Sequence, residues 1–424
     1  MNKRIITTIL ILLSFLAVFF VMPSFHFVDV LDASTAGGAG DDDTNSMDDG
    51  NYISAMTPEA ESTPDAMLEP TPTPEPTPTP EPTPDETPDE TPDEPTESTP
   101  SATPEPETIP EPTPEPGPVV TTITVSAAGD TTLGGCPVSS SFNNFMREFY
   151  NNDEDMTYFL RLVRHIFLAD DLTLVNLECV LTDETRHRGR RWNYKGEPRM
   201  AEALSVGGVD AVSLANNHTD DFFQIGYDDT KRHLNDFGVA YFGNETNTIL
   251  EIKGIKVGLF GYLAWGDVTP HKRNITASIN YLRENGAELI IAYFHWGVDR
   301  ENVPHERQRI IGRYTIDSGA HLVVGAHPHV IQGIEVYNGR NIVYSLGNFA
   351  YGGHANPEDM DTFIFQQTFT FIDGVMQDDN EFNIIPAYIS SVRGRNNYQP
   401  MPVEGAEAER ILGRLERFSS LIGN

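Results

Sequence analysis

Residues 321–350 read HLVVGAHPHVIQGIEVYNGRNIVYSLGNFA, and this stretch decides the fold. The apolar and small residues LVVGA near its start are typical of a buried strand in a parallel sheet. The strand is followed by His327 and His329, which flank a proline. Because proline disfavours the helical conformation of the preceding residue, we expect an extended spacing in which both imidazoles face one metal-sized point. A His-x-His also occurs by chance on surfaces and in cores, so the rest of the chain has to support a metal site.

The same pattern of strands and helices recurs along the preceding chain. Apolar runs typical of strands occupy residues 121–128, 172–176, 211–214 and 288–294, with a hairpin-like pair at 248–252 and 256–262. Amphipathic patterns typical of helices occupy residues 156–169, 200–206, 222–237, 276–285, 304–318 and 407–421. Strands that alternate with helices predict an α/β fold with mixed, largely parallel β-sheets flanked by helices.

Polar side chains follow these apolar strands directly. They are Asp130, Glu178, Asn217, His218, His295, His327 and His329. In open α/β sheets, ligands bind beyond the carboxyl ends of the strands, so we expect these side chains to converge. Each has a simpler explanation, such as an Asx turn, a helix cap or a hydrogen-bonded interior histidine. Together they are oxygen and nitrogen donors without a thiolate, which favours one or two divalent ions of Mn, Fe, Zn or Mg.

Six motifs also carry a resemblance to a known family. They are GDTTLGG (129–135), NLECVLT (176–182), LANNHTDDF (214–222), HWG (295–297), GAHPHVIQGIE (325–335) and YSLGNF (344–349). Over residues 120–390 the chain resembles the CapA family, which is associated with poly-gamma-glutamate capsule synthesis and is similar to the calcineurin-like metallophosphoesterases. The resemblance implies a metallophosphoesterase-like layered sandwich in which His218 is the general acid. It also implies a metal-ligand set of Asp130, Glu178, Asn217, His295, His327 and His329.

Two positions depart from the phosphoesterase pattern. Those enzymes usually open with Asp-x-His, whereas Asp130 is followed by Thr131 and Thr132. Glu178 stands where an aspartate normally bridges two metals. The sequence therefore leaves open whether one ion or two would bind.

A basic cluster follows Glu178 within residues 187–195, HRGRRWNYK. Its cations are Arg188, Arg190, Arg191 and Lys195. In an otherwise acidic chain, such a cluster with aromatic neighbours is a candidate binding surface for an anionic polymer. A solvated loop is the alternative, because runs of charge usually lie at the surface.

The amino-terminal part of the sequence predicts an anchor and a stalk. Residues 5–22 form an uncharged run that is preceded by Lys3 and Arg4, so we expect residues 1–23 to be a transmembrane anchor or a signal peptide. Residues 24–118 predict a disordered acidic stalk, because 21 of the 31 prolines fall between residues 57 and 118. We expect residues 119–424 to form the CapA-like domain. This order predicts a domain outside the cell membrane, or a secreted one if residues 1–23 are removed.

Charge and cysteine content limit the partners. The formal net charge of −35 argues against a nucleic-acid partner. Two cysteines cannot supply a disulfide framework, although one bridge would be compatible with an extracellular domain. We therefore expect an extracytoplasmic divalent-metal hydrolase acting in the biosynthesis, anchoring or processing of capsule or anionic surface polymer such as poly-gamma-glutamate. The alternative is a non-catalytic surface protein that binds the polymer and retains a vestigial metal site.

Overall fold

The computed structural model of the protein describes residues 117–423. The predicted anchor and nearly all of the predicted stalk lie outside the described residues. Within residues 117–423, no helix combines the length and the apolar character needed to cross a bilayer. The predicted mixed α/β fold, with parallel strands flanked by helices, is confirmed for this part of the chain.

The elements alternate along the chain much as the sequence predicts. The strands of the described region are β1 (Val120–Thr132), β2 (Leu172–Leu177), β3 (Val180–Leu181), β4 (Lys195–Gly196), β5 (Ala211–Ser213), β6 (Ala240–Phe242), β7 (Thr248–Ile252), β8 (Ile255–Phe260), β9 (Leu289–His295), β10 (Leu322–Ala326), β11 (Ile334–Tyr337), β12 (Arg340–Val343), β13 (Asn348–Tyr351), β14 (Asp361–Ile372), β15 (Val375–Met376), β16 (Phe382–Tyr388) and β17 (Met401–Pro402). Its helices are α1 (Ser140–Asn151), α2 (Arg164–Phe167), α3 (Met200–Gly207), α4 (Phe223–Asp236), α5 (Val268–Glu284), α6 (Glu306–Ser318) and α7 (Gly405–Ser420).

Two large sheets carry the fold. The first has nine strands in the order β17-β16-β14-β1-β2-β5-β6, with β13 beside β1 and β15 beside β14. In it, β1, β2, β5 and β6 are parallel, whereas β14 runs antiparallel to β1. The second has six strands in the order β11-β12-β10-β9-β8-β7, and its inner strands β8, β9, β10 and β12 are parallel. The carboxyl ends of parallel strands therefore gather at one edge of each sheet.

The two sheets face each other across a shared apolar core. Because alternate residues of a strand point to opposite faces, Leu174 of β2 packs between the sheets and Val175 packs outward. Tyr293 of β9 reaches across the core, and its hydroxyl donates to the carbonyl oxygen of Ala128 at 2.7 Å. Helices α1 and α3 cover the outer face of the first sheet, and α5 and α6 cover that of the second. The result is a four-layer sandwich of two sheets between two layers of helices. The convergence of the strand ends was predicted for a single open sheet, whereas it occurs between two sheets.

One predicted helix is largely absent. Residues 156–163 form successive turns, in which the N–H of Val163 bonds to the carbonyl oxygen of Leu160, and only α2 is helical. The apolar periodicity there arises because Phe159 and Leu160 pack into the core on the outer face of the first sheet. Successive turns bury these two side chains as well as a helix would. Conversely, α1 was not predicted. It begins after Ser139, whose side chain accepts from the N–H of Ser141.

The helix that precedes the His-Pro-His stretch begins two residues later than Pro304. His305 caps it, and the side chain of Gln308 accepts from the His305 N–H in return. The helix ends at Gly319, whose φ of 108° is a left-handed conformation that glycine adopts without a steric penalty. The chain then enters β10, which leads to the candidate site.

Candidate metal centre

Four strands from both sheets deliver the candidate ligands. Asp130 lies near the end of β1, where the register with β2 shifts, and Glu178 follows β2. His295 ends β9, and His327 and His329 follow β10. The carboxyl ends of both sheets thus meet across the core, and this meeting brings the predicted residues together.

The side chains of these residues lie within reach of one another. His295 Nε2 is 3.4 Å from Glu178 Oε1, and His329 Nε2 is 3.8 Å from the same oxygen. His329 Nδ1 is 3.2 Å from Asp130 Oδ2. Two groups have ligand atoms that all lie within 4.8 Å of one another, namely Glu178 with His295 and His327, and Asp130 with Glu178 and His329. Glu178 belongs to both groups, so it would be a ligand in either of them.

Several polar atoms of this cluster are buried without a hydrogen-bond partner among the described residues. They are both carboxylate oxygens of Glu178, Nε2 of His295 and Nδ1 of His327; Oδ1 of Asn217, on the turn after β5, is also buried without a partner. A buried polar atom without a partner is costly, so a concentration of such atoms calls for an explanation. A divalent cation accepts lone pairs from carboxylate, imidazole and carboxamide alike. The residues present therefore fit a metal ion.

The electrostatics of the cluster agree with that fit. Burial, together with the Asp130 carboxylate, raises the pKa of Glu178 well above its usual range. Burial and the adjacent His327 lower the pKa of His295, and burial lowers the pKa of His327 to about 4. Burial alone would lower the pKa of His329, but the carboxylates of Glu178 and Asp130 outweigh it and raise this pKa to about 10. A cation would stabilise ionised carboxylates and neutral imidazoles here, which are the forms that bind metals.

Asparagines that the sequence did not single out orient the candidate ligands. The side-chain amide of Asn176 donates to Asp130 Oδ1 at 2.8 Å and lies 3.2 Å from His295 Nδ1, which leaves Nε2 of His295 toward Glu178. Asn348 Oδ1 is 2.9 Å from His329 Nδ1. Partners of this kind fix the orientation of metal-binding imidazoles. Asn176 lies on β2, two residues before Glu178, so its position in the motif was the available indication.

The His-Pro-His stretch is not extended, which corrects the prediction from proline geometry. His327 has a φ of 98° and His329 a φ of 57°, and side-chain-bearing residues rarely adopt such values. The surroundings hold this strained conformation, because the N–H of His327 donates to Asp130 Oδ2 at 3.3 Å and the carbonyl oxygen of Pro328 accepts from Arg300 at 2.8 Å. Backbone strain of this type is typical of functional sites.

Asp299 is a further candidate ligand that the sequence analysis missed. It lies four residues after His295, and its Oδ1 is 3.1 Å from His327 Nε2. With His327 and His329 it forms a third group of atoms within 4.8 Å of one another. Its side chain is 60% exposed, so this group opens toward solvent. The resemblance gave no reason to expect a carboxylate at this position.

Asn217 and His218 lie on the turn between β5 and α4. The side chain of Asn216 anchors this turn, since its amide donates to the carbonyl oxygen of Leu177 and its Oδ1 accepts from the N–H of His218. The amide of Asn216 also donates to Asn176 Oδ1 at 3.1 Å, and Asn176 contacts Asp130 and His295. These hydrogen bonds tie the turn that carries His218 to the ligand cluster.

His218 also has a carboxylate partner that was not predicted. Its Nδ1 is 2.6 Å from Oδ2 of Asp221, which is completely buried. The ring of Tyr194 packs against the imidazole, with 4.2 Å between the ring centroids. The spacing of three residues in HTDD was an available indication of the pair.

The basic cluster does not present four unpartnered cations. Arg188 pairs with Asp220 at 2.9 Å, and Arg190 pairs with both Asp220 and Asp221. The guanidinium of Arg191 lies over the ring of Trp192. Lys195 is half-buried, and its ammonium donates to the carbonyl oxygen of Glu184 at 2.7 Å. The local positive charge is smaller than the sequence suggests.

The two cysteines lie outside the candidate ligand groups. Cys136 and Cys179 are buried free thiols. Burial raises the pKa of Cys179 to about 12, so it stays protonated at neutral pH. The donor set is therefore made of oxygen and nitrogen.

The domain has two layers of sheet between two layers of helix, and its candidate oxygen and nitrogen ligands lie where the edges of the two sheets meet. This arrangement is consistent with the calcineurin-like metallophosphoesterase superfamily. The chain belongs to the bacterial capsule synthesis protein family PGA_cap, whose profile matches residues 124–352. That span contains every candidate metal ligand described above.

Relatives of known name support the same family. The chain is 28% identical over 210 residues to the PGA biosynthesis protein CapA of Bacillus subtilis, covering 45% of this chain and 55% of that protein. It is 28% identical over 255 residues to the capsule biosynthesis protein CapA of Bacillus anthracis, covering 54% and 60%. A probable polyglutamine synthesis accessory protein of Mycobacterium tuberculosis is 22% identical over 287 residues, covering 60% and 74%. The chain thus spans less than two thirds of the two Bacillus proteins.

Among solved structures, a hypothetical protein from Thermus thermophilus matches with a TM-score of 0.39 and 14% identity. The match covers 62% of this chain and 98% of that protein.

Proposed function

We propose that this protein is a metal-dependent hydrolase of the cell surface, acting in the biosynthesis, anchoring or processing of an anionic polymer such as poly-gamma-glutamate. One observation carries the hydrolase part: two ligand groups share Glu178, and Asn216 links the turn of His218 to Asn176 beside them. The polymer part is supported by family membership and by the names of the Bacillus relatives.

Six residues would hold the metal, namely Asp130, Glu178, Asn217, His295, His327 and His329. Their donors suit Mn, Fe, Zn or Mg, as one ion or two. When bound, a divalent ion polarises a phosphoryl or carbonyl oxygen and lowers the pKa of a bound water. Asn176 and Asn348 would keep the imidazoles oriented. Thr132 occupies the position of the usual phosphoesterase histidine, and its hydroxyl donates to the carbonyl oxygen of Glu178.

His218 is placed to act as the general acid. In that role, Nδ1 would donate its hydrogen bond to Asp221, and the proton that is transferred would be the one on Nε2. In hydrolysis, the bond between the phosphoryl or acyl group and its leaving atom breaks. His218 gives its proton to that leaving atom. Water supplies the hydroxyl group that replaces it, and the second proton of water passes to solvent, from which His218 is reprotonated.

The basic cluster is the proposed contact for the polymer. Arg188 and Trp192 are about two-fifths exposed, and Arg191 lies over the Trp192 ring. Arginine pairs with carboxylate or phosphate through two parallel hydrogen bonds, which suits a polyanion. Because Asp220 and Asp221 already neutralise part of this charge, we expect weak, salt-sensitive binding that depends on many repeats of the polymer.

The proposed location is the outer side of the cell membrane. Residues 1–23 would anchor the chain, and the acidic, proline-rich residues 24–118 would connect this anchor to the domain as a stalk. Cleavage of residues 1–23 would instead yield a secreted protein.

Elemental analysis of the full-length protein, purified without chelator, tests the proposal together with hydrolysis of an aryl phosphate diester. We expect one or two equivalents of a divalent metal and turnover that a chelator abolishes. Metal without turnover would favour the polymer-binding alternative. A protein that acquires no metal from any of the four candidate ions would contradict the proposal.

A further inference from the structure

We infer that Arg190 is a positioning residue that acts through Asp221 to hold His218 in place for proton transfer. The inference rests on the hydrolase function proposed above. It gives a distinct role to one member of a basic cluster that the sequence assigned as a whole to polymer binding.

The carboxylate of Asp221 is the centre of the arrangement. It is completely buried and accepts from three groups. Oδ2 is 2.6 Å from His218 Nδ1 and accepts from the N–H of Tyr194 at 2.7 Å, while Oδ1 accepts from Arg190 at 3.0 Å. A buried carboxylate needs several donors to remain ionised, so loss of one of them weakens its hold on the others.

Arg190 contacts the turn on both sides of His218. Its Nη1 donates to the carbonyl oxygen of Asn217 at 2.8 Å, directly before His218, and pairs with Asp220 at 2.9 Å, shortly after it. One guanidinium therefore ties together the two ends of the turn that carries the imidazole. These three contacts of Arg190, with Asn217, Asp220 and Asp221, are all made by Nη1. A lysine ammonium also supplies three donors but stands on a flexible stem, so it reproduces these contacts only in part.

The remaining contacts restrict the imidazole further. The ring of Tyr194 packs against it, and the main chain of Tyr194 binds the same carboxylate oxygen as His218 does. Arg190 and Tyr194 lie on one loop, residues 183–194, so this loop fixes both the face and the Nδ1 edge of the ring. Only Nε2 is left to meet a leaving group.

Charge and exposure separate Arg190 from its neighbours in the cluster. Its side chain is 27% exposed, against 41% for Arg188, and two carboxylates balance its charge. A polyanion would have to displace Asp220 and Asp221 to reach it. We therefore expect Arg190 to govern the rate of the chemical step rather than the affinity for polymer.

The test uses the full-length protein and a series of aryl phosphate diesters whose leaving groups range from nitrophenol to phenol. A general acid matters most for a poor leaving group. In Arg190→Ala we expect kcat to fall by about 10-fold to 100-fold with phenol and by much less with nitrophenol. We expect KM and metal content to be unchanged, and Arg190→Lys to recover part of the rate.

Arg199→Ala is the matched control. Arg199 also pairs with two carboxylates, Glu154 and Glu197, and its side chain is 37% exposed. It contacts neither His218 nor Asp221 in the described structure, so its replacement should leave the leaving-group dependence as in the wild type. If Arg190→Ala does not fold, Arg190→Lys carries the same comparison, because a smaller selective loss is still expected.

A second readout does not depend on turnover. The short Nδ1 contact with Asp221 should give a far-downfield proton resonance that His218→Ala abolishes. We expect this resonance to shift or broaden in Arg190→Ala and Arg190→Lys but not in Arg199→Ala. An unchanged resonance, or an equal loss of kcat with every leaving group, would overturn the inference. Failure of the proposed function looks different, since the wild-type protein would then acquire no metal or show no metal-dependent turnover with any leaving group.

Discussion

The hydroxyl of Thr132 donates to the carbonyl oxygen of Glu178 at 3.2 Å, so β1 and β2 are joined by a side chain at the point where the candidate ligands begin. Both residues are completely buried. Related phosphoesterases usually carry a histidine at the position of Thr132. In this protein, Thr132 holds the main chain of the candidate ligand Glu178 and does not itself supply a ligand atom.

Replacing Thr132 by Val keeps the shape of the side chain and removes this hydrogen bond. We expect unfolding free energy to fall by about 1 kcal/mol, since a buried acceptor loses its donor. Metal affinity should fall by about 10-fold, because Glu178 is held less firmly. Urea denaturation and competitive chelator titration measure the two effects, and an unchanged metal affinity would show that Thr132 has no role at the site.

Replacing His327 by Ala should remove metal, whereas replacing His218 by Ala should not. His327 lies in the group with Glu178 and His295, and His218 bonds to Asp221. We expect metal content to drop to less than about half in His327→Ala, and His218→Ala to lose about 100-fold in kcat at full metal content. Full metal stoichiometry in His327→Ala would refute the ligand assignment.

Replacing Arg188 and Arg191 together by Ser tests the polymer contact. We expect affinity for poly-gamma-glutamate to fall by about fivefold at low salt, which corresponds to about 1 kcal/mol. The salt dependence of binding should also flatten. Co-sedimentation at two salt concentrations, with unchanged metal content as a control, decides the matter. Equal binding by variant and wild type would mean that the loop is only solvated surface.

Asp361 predicts a pH-dependent loss of stability. It is buried at the start of β14 and pairs with Arg410 and Arg414 of α7, with 2.6 Å between Asp361 Oδ1 and Arg410 Nη2. Burial raises the pKa of Asp361, but the two arginines outweigh it and the net effect is a lowered pKa. A lowered folded-state pKa stabilises the protein above the unfolded value of about 3.9, and this contribution is lost as the pH falls through the folded-state pKa.

We therefore expect Asp361→Asn to lower unfolding free energy by about 3 kcal/mol at neutral pH. The difference from wild type should shrink as the pH falls from the unfolded-state value of about 3.9 through the lowered folded-state pKa, where the wild-type carboxylate loses its charge. Denaturant titrations at a series of pH values measure it, and a difference that is constant with pH would contradict the assignment.

The architecture also predicts that residues 119–424 fold without the preceding part of the chain. The described core is built within residues 123–422, and residues 24–118 supply few large apolar side chains. The truncated protein should be soluble, with the circular dichroism of a mixed α/β fold. An unfolded truncation, beside a folded full-length protein, would show that the domain boundary is misplaced.

The sequence predicted the strands better than the site geometry. Buried parallel strands such as β2, β9 and β10 are runs of apolar residues, and the polar residue after each run is visible without any structure. The conformation of His327 and His329 was predicted wrongly, because contacts with Asp130 and Arg300 override the local preference set by proline. Asp299 and Asp221 were missed because their contacts depend on the conformation of loops, which a hydrophobic pattern in the sequence does not predict. The sequence could not assign separate roles to the arginines of the basic cluster. Those roles depend on the carboxylates of Asp220 and Asp221, which lie on a separate turn.

The contact between the His327 N–H and Asp130 spans 197 residues of sequence and joins the two sheets. Contacts of such high sequence separation form late, because the intervening chain must first be ordered. During synthesis β1, β2, β5 and β6 of the first sheet precede β10, so the ligand cluster cannot exist until most of the domain has emerged. Metal uptake would then be a late folding event, and bound metal would slow the separation of the two sheets during unfolding. The lifetime of the folded domain would thereby depend on the supply of metal.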